Sequence, residues 1–179
     1  SAPLIIFHRS GNSLEAMWKY ILICSVGIGF ALFGTMLLAI AGGGHGMEME
    51  LLAKSDLHPL WFKAAFVFML AGYGTKMGLA PFHSWMPDAY SEAPGVLSVL
   101  SSGALLACSF LGVARVMEIA PAEVKNFCSS LLIVFGFFSL LLAAFFILRQ
   151  QDFKRMLAYS SMEHMGLVSI MWALGMQNV

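Results

Sequence analysis

The 179-residue sequence is 59% apolar and only 11% charged, its formal net charge is zero, and its mean hydropathy is +0.81. Soluble domains carry roughly 25% charged residues, so this composition excludes an ordinary water-soluble domain and indicates lipid as the solvent. A net charge of zero also gives no indication of the strongly basic composition that is typical of nucleic-acid binding.

Five apolar runs follow one another along the chain, and each is long enough to cross a bilayer, which takes about 20 helical residues. They cover residues 17–40, 59–80, 96–117, 127–148 and 156–176. Glu163 and His164 interrupt the fifth run, and residues 4–7 are interpreted as the tail of an earlier helix. The predicted fold is therefore all-α, a polytopic transmembrane helix bundle with about five spanning helices.

Glycine and proline mark the links between these runs. Residues 42–44 are consecutive glycines after the first run, Pro81, Pro87 and Pro94 follow the second, and Pro121 follows the third. Nothing suggests a soluble domain, so residues 1–179 are predicted to form a single transmembrane domain. The sequence opens without an initiator Met or a signal-peptide pattern, and we expect it to be a fragment of a longer protein.

Lysine and arginine are distributed unevenly between the two ends of the predicted bundle. One end carries Arg9, Lys19, Arg149, Lys154 and Arg155, and the other carries Lys54, Arg115 and Lys125. The positive-inside rule then makes the first end cytoplasmic, and the link formed by residues 81–94 lies at the same end.

No motif for covalent or redox chemistry occurs in the sequence. The three cysteines, Cys24, Cys108 and Cys128, lie in or beside apolar runs without the spacing of a metal or redox site. There is also no glycine-rich phosphate loop and no zinc-ligand pattern. We therefore expect no bound cofactor and no metal.

Lys76 is the ionisable residue placed deepest in an apolar run, where a charge costs about 2.5 to 3.5 kcal/mol on insertion scales. One interpretation is that its stem snorkels to the interface. The other is a desolvated amine that exchanges protons. Gly72, Gly74 and Gly78 flank it, and such a segment can pack closely or unwind beside a hydrated cavity.

The link that follows is rich in proline, aromatic and titratable residues. Trp85 and Tyr90 are the amphipathic rings expected at headgroup level, so the segment could serve as an interfacial anchor. Alternatively, His83 or Asp88 takes part in a path for proton uptake, since histidine gains and loses protons near neutral pH.

Glu163 and His164 present a similar choice. Neighbouring positions on a helix point about 100° apart, so at most one of the two can face a shared cavity fully. They are either members of a proton relay, or interfacial residues that precede a helix starting later. The charged cluster of Asp152, Lys154 and Arg155 just before them is interpreted as fixing the topology.

Two long motifs resemble those of the antiporter-like membrane subunits found in respiratory complex I, Mrp-type antiporters and energy-converting hydrogenases. Residues 72–89 read GYGTKMGLAPFHSWMPDA and residues 152–161 read DFKRMLAYSS. Residues 91–94 (SEAP), Leu105 and residues 159–166 (YSSMEHMG) are most similar to the hydrogenase-4 component F branch. The resemblance covers nearly the whole chain, which would span the fifth to tenth helices of such a subunit.

The resemblance implies that Lys76 is the central proton-carrying lysine on the seventh helix. Its glutamate partner on the fifth helix would precede Ser1, and a further charged residue on the twelfth would follow Val179. Several relatives carry a histidine early in the eighth helix, where this sequence has Ser102. The path would then use a hydroxyl or water there, or another route through Glu163 or His164.

The resemblance also implies a function for the longer protein. It would translocate protons as a membrane-arm subunit of a redox-driven complex in the cytoplasmic membrane. Its partners would be other membrane subunits, the lipid bilayer and a peripheral arm that holds the redox centres. The alternatives are an Mrp-type cation/proton antiporter subunit and a structural anchor that does not pump.

Overall fold

The computed structural model describes residue 5, residues 11–43 and residues 48–177. Ile5 is the one described residue of the predicted helix tail 4–7, and Arg9 lies outside the described ranges. From residue 11 onward, the described elements are α1 (Gly11–Ala41), α2 (Met49–Lys54), α3 (Pro59–Met77), α4 (Trp85–Glu92), α5 (Gly95–Glu118), α6 (Ala122–Ile147) and α7 (Phe153–Gln177). This arrangement confirms the predicted all-α class.

Three of the described helices, α1, α5 and α6, are long and apolar enough to cross a membrane by length and composition. The second and fifth predicted spans also fold as helices, α3 of 19 residues and α7 of 25 residues. Ionisable residues interrupt both of them. Large apolar side chains line the outer faces of the bundle, such as Leu22 at 61% and Val134 at 63% exposure, which suits contact with lipid.

The start of α7 decides one question that the sequence left open. This helix begins at Phe153, so Glu163 and His164 lie well inside it. The alternative in which the fifth span starts after these two residues is therefore wrong. The charged residues at the start of the helix are Asp152, Lys154 and Arg155.

The second predicted span ends earlier than expected. Helix α3 stops at Met77 because Gly78 adopts a left-handed conformation, with φ of 70°, and its N–H bonds to the carbonyls of Gly74 and Thr75. A left-handed residue after the last helical turn is a common way for a helix to end, and glycine adopts it without strain. A Cβ at Gly78 would also overlap Sδ of Met86.

The predicted interfacial link 81–94 is largely a short helix, α4, packed between α1 and α7. Pro87 is compatible with it because this residue lies in the first turn, where backbone N–H groups have no partner within the helix. Trp85 and Tyr90 are only 1% and 4% exposed. Their predicted role as headgroup-level anchors is wrong, since both rings are buried among protein side chains.

Small residues bring neighbouring helices together. Helix α1 packs against α3 and α6 packs against α7 along most of their lengths. A Cβ on Gly136 would lie 2.8 Å from the carbonyl oxygen of Gly166, and one on Gly166 would lie 2.9 Å from that of Gly136. Close backbone approach of this kind is typical of helices that associate in lipid, where packing replaces the hydrophobic effect.

The distribution of basic residues at the two ends agrees with the sequence. Lys19, Lys154 and Arg155 meet around α4 at one end. Arg115 and Lys125 lie at the other, in cavities shared with residues 49–57. Which end faces the cytoplasm stays a prediction of the positive-inside rule.

The break between α3 and α4 leaves backbone groups that need partners inside the bundle. The Trp85 indole N–H donates to the Thr75 carbonyl at 2.8 Å. The Ala80 backbone N–H donates to the Ser139 hydroxyl at 2.9 Å, and this hydroxyl donates in turn to the Phe135 carbonyl at 2.7 Å. Helix α6 therefore holds the broken segment in place through Ser139.

We expect Ser139→Ala to lower the free energy of unfolding by about 1–3 kcal/mol, because it leaves the buried Ala80 N–H without a partner. Ser169→Ala is the matched control. Ser169 is also fully buried, but within the described ranges its hydroxyl donates only to the Met165 carbonyl of its own helix. Thermal unfolding of the full-length protein in detergent measures both variants, and equal destabilisation would contradict the assigned role of Ser139.

Candidate functional site

Lys76 lies in the last turn of α3, directly before the break. Its Nζ is 5.0 Å from the centre of the Tyr20 ring on α1 and donates a long, 3.5 Å hydrogen bond to the Tyr20 hydroxyl. The Trp85 ring packs edge-on against Tyr20, with 5.2 Å between centroids. The lysine is half-buried among these groups.

Within the described ranges, Lys76 makes no ion pair, and the charged pairs lie elsewhere. Two features compensate for its charge. The Tyr20 ring offers a cation–π contact, and the C-terminal end of α3 carries partial negative charge from its last carbonyls. The site therefore accommodates a protonated amine without a neighbouring carboxylate in the described part of the chain.

A network of alternating charges fixes α4 to both of its neighbours. The Asp88 carboxylate accepts a hydrogen bond from Lys19 of α1 at 2.9 Å and pairs with Arg155 of α7 at 3.3 Å. Lys19 also pairs with Glu15 at 2.7 Å. Asp88 retains 23% side-chain exposure, so this junction lies at the edge of the bundle.

The C-terminal end of α4 is held by α7 as well. Lys154 Nζ donates to the carbonyls of Ser91 and Ala93 at 3.2 and 3.1 Å. The Ser91 hydroxyl donates to Asp152 at 2.7 Å, and this bond is the main reason that the pKa of the Asp152 carboxyl lies below its usual value. The cluster predicted to fix topology thus also positions the half-helix that follows the Lys76 site.

His83 lies in the break but faces a different neighbour from Lys76. Its ring is 6.3 Å from the Phe146 ring of α6, and its buried Nδ1 has no hydrogen-bond partner in the described part of the protein. Lys76, in contrast, contacts Tyr20 on α1. The structure therefore does not bring His83 and Lys76 into direct contact.

Glu163 and His164 have different surroundings, as their helical spacing requires. His164 lines a cavity of about 380 Å³ together with Ser102, Ser160 and Lys154, and Glu163 is not among its lining residues. The His164 Nδ1 lies 2.7 Å from the Ser160 carbonyl. A carbonyl only accepts, so Nδ1 carries the proton of the neutral ring and Nε2 is left to accept another.

Ser102 approaches this cavity from a local irregularity in α5. Residues Ser101–Leu105 form a π-helical turn, an insertion that often marks functional sites. The Ser102 hydroxyl donates a 3.1 Å hydrogen bond to the Val99 carbonyl of the same helix. His164 thus lines the same cavity as Ser102, the position at which the resemblance led us to expect a histidine.

Several residues of this region did not emerge as site residues from the sequence. Tyr20 carries the contact to Lys76, Ser139 secures the break, and Lys19 ties α4 to α1. A lysine and a tyrosine side by side in an apolar run were the available signal for Lys19 and Tyr20. No comparable signal marks Ser139. A sequence does not distinguish a serine that also bonds to another segment from a serine that bonds within its own helix alone.

In the described ranges, no three His, Cys, Asp or Glu side chains cluster as a metal site.

Comparison with known proteins identifies the family. The family model for NADH:quinone oxidoreductase/Mrp antiporter transmembrane subunits matches residues 1–179. A hydrogenase-4 component F homolog from Methylacidiphilum infernorum is 36% identical over 181 aligned residues, which cover 96% of this chain and 38% of that protein.

Two solved structures share the fold. A chain of the archaeal membrane-bound sulfane sulfur reductase superposes with a TM-score of 0.86 at 28% identity, covering 96% of this chain and 36% of that one. A chain of respiratory complex I from Thermus thermophilus gives 0.75 at 31% identity, covering 93% and 36%. The chain thus spans less than two fifths of each protein. It belongs to the family of NADH:quinone oxidoreductase/Mrp antiporter transmembrane subunits.

Proposed function

We propose that this chain is the proton-translocating portion of a membrane-arm subunit, and that Lys76 is the amine that is alternately protonated and deprotonated. The observation that carries the proposal is the placement of Lys76. It is a partly buried amine at a helix break, it contacts a tyrosine hydroxyl, and it makes no ion pair within the described ranges. Such a group can change its protonation state without first breaking a salt bridge.

The cavity beside α7 supports a route to this site. It is lined by hydroxyl groups and by His164, whose Nδ1 is fixed by the Ser160 carbonyl. Irregular backbone and polar side chains at membrane depth are tolerated where they line a hydrated space. We propose that His164, not Glu163, serves as the relay in place of the histidine that several relatives carry at the position of Ser102 on α5, and that His83 takes part in uptake at the break.

The partners of the longer protein follow from the same proposal. Related chains belong to a membrane-bound sulfane sulfur reductase and to respiratory complex I. By analogy, this subunit would assemble with other membrane subunits in the cytoplasmic membrane and would be driven by redox chemistry in a peripheral arm. A cation/proton antiporter that acts without a redox arm is the alternative, and copurification of a redox module with the full-length protein distinguishes the two.

The relay is tested with His164→Ala and Glu163→Gln in the full-length subunit, assembled in its complex and reconstituted into vesicles. We expect His164→Ala to lower the proton-translocation rate by about tenfold or more, since positioned acid–base groups contribute 100-fold or more in many enzymes. Glu163→Gln, the matched control on the neighbouring position, should leave the rate unchanged. Unchanged translocation in His164→Ala would remove His164 from the route.

A further inference from the structure

Tyr90 is a buried phenol whose hydroxyl has no partner in the described structure. It lies on α4, is 4% exposed, and packs edge-on against Trp85 with 6.4 Å between ring centroids. A buried hydroxyl without a hydrogen bond costs about 1–3 kcal/mol. A water molecule is the partner that the surroundings of Tyr90 can supply, because the residue borders two cavities.

The first cavity is the one that His164 lines. Tyr90 of α4 and Ser98 of α5 also line it, and its volume of about 380 Å³ is large enough for on the order of ten water molecules. The second cavity has a volume of about 20 Å³, which is enough for a single water. Its wall includes Tyr20, Tyr90 and Ser98. Tyr90 and Ser98 therefore separate the two spaces and belong to both.

The small cavity is linked to Lys76 through Tyr20, which lines the cavity and contacts the amine. The Tyr20 hydroxyl receives the hydrogen bond from the Lys76 amine, and Tyr20 and Tyr90 both line the small cavity. A series of polar groups thus runs from Lys76 to Tyr20, through one water to Tyr90, and through the larger cavity to His164. No charged side chain interrupts the series between Tyr20 and Tyr90 in the described part of the small cavity.

We propose that the Tyr90 hydroxyl is the link that passes protons between the His164 cavity and Lys76. The inference rests on the proposed function of Lys76. In the transfer, a protonated His164 releases its Nε2 proton to a cavity water, and each water or hydroxyl accepts one proton on oxygen while it gives its own to the next. The neutral Lys76 amine receives the last proton. Both tyrosines end neutral, and one proton has moved.

The test uses Tyr90→Phe, which removes the hydroxyl and keeps the ring against Trp85. Tyr73→Phe is the matched control, because Tyr73 lies on α3 and lines a separate cavity near Arg115. In the full-length subunit within its reconstituted complex, Tyr90→Phe should reduce proton translocation by about tenfold, toward the lower range for loss of a positioned proton-transfer group. Tyr73→Phe should translocate at the wild-type rate, and both should unfold at the wild-type temperature.

Parallel measurement of Lys76→Met separates this inference from the function on which it rests. If Lys76→Met loses translocation while Tyr90→Phe keeps the wild-type rate, the link through Tyr90 is wrong and the role of Lys76 stands. If neither variant loses translocation, the proposed function fails as well. Loss in both, with Tyr73→Phe intact, supports both statements.

Hydration of the larger cavity provides a second test. In a Cys108→Ser background, which removes the exposed native thiol, Ser102→Cys and Ser160→Cys should react with a membrane-impermeant alkylating reagent that needs water to reach its target. Ser169→Cys should stay unlabelled, because Ser169 is fully buried away from this cavity. A lack of reaction at both cavity positions would show a dry space and overturn the proposed link.

Discussion

Replacement of Asp88 by asparagine is expected to loosen α4 and to impair proton translocation. The substitution removes the carboxylate that Lys19 and Arg155 share, so within the described ranges Lys19 keeps its pair with Glu15 and Arg155 keeps only a longer contact with Asp152. We expect a loss of about 1–2 kcal/mol in the free energy of unfolding, between the values for exposed pairs and for buried pairs that lose one partner. The charged contact between α4 and α1 is then lost.

The effect on translocation follows from the position of α4. This helix carries Trp85, whose indole caps the Thr75 carbonyl beside Lys76 and packs on Tyr20. A displaced α4 therefore changes the surroundings of the Lys76 amine. Proton translocation should fall by about tenfold or more, as when a proton-transfer group is moved out of reach.

The Asp88 prediction has a conservative variant and a matched control. Asp88→Glu keeps the charge and should retain most of the activity. Asp56→Asn makes the same chemical change at an exposed position at the opposite end of the bundle and should leave stability and translocation unchanged. Thermal unfolding in detergent and proton uptake in vesicles measure the series. Equal behaviour of Asp88→Asn and Asp56→Asn would contradict the role of the network.

The spanning helices were predictable from sequence because apolar length is a strong signal in a membrane protein. All five predicted spans fold as helices, and the glycines after the first span end α1 as expected, with Gly43 at a φ of 75°. Lys76 was identifiable for a related reason. A lysine in an apolar run demands a physical explanation, whichever element carries it.

The link 81–94 was predicted less well, and the reason is physical. Proline and aromatic residues in sequence suggest a turn at the interface, but Pro87 is accommodated in a first helical turn. Trp85 and Tyr90 suit headgroups and protein interiors equally well, because each has an apolar ring and one polar group. Their burial depends on α1 and α7, which are distant in sequence.

The arrangement of the candidate site could not be predicted from the sequence either, because it also depends on contacts between helices that are distant in sequence. The pattern of residues showed that Glu163 and His164 could not both face one cavity, and it could not show which of them does. The choice depends on how α7 packs against α5 and α6. The meeting of Ser102, Tyr90 and His164 around one space is a tertiary feature that no local pattern contains.

Two substitutions of Lys76 should have similar effects on translocation for different reasons. Lys76→Met replaces a partly buried cation with an apolar side chain of similar length, so folding and assembly should persist, as is common when buried charge is replaced by apolar groups. No proton can then be carried at this position. Lys76→Arg keeps the charge but stays protonated at any relevant pH, so it cannot release a proton. We expect either variant to lower translocation by about 100-fold, the scale of a lost acid–base group.

The most direct measurement is proton uptake into vesicles that contain the full-length subunit in its complex, followed with a trapped pH-sensitive dye while the complex turns over. Wild type and Lys76→Met are compared at equal protein content, with assembly checked by size-exclusion chromatography. The role proposed for Lys76 predicts that the assembled Lys76→Met complex gives no pH change above that of vesicles treated with an uncoupler. Wild-type proton uptake by the assembled Lys76→Met complex would contradict it.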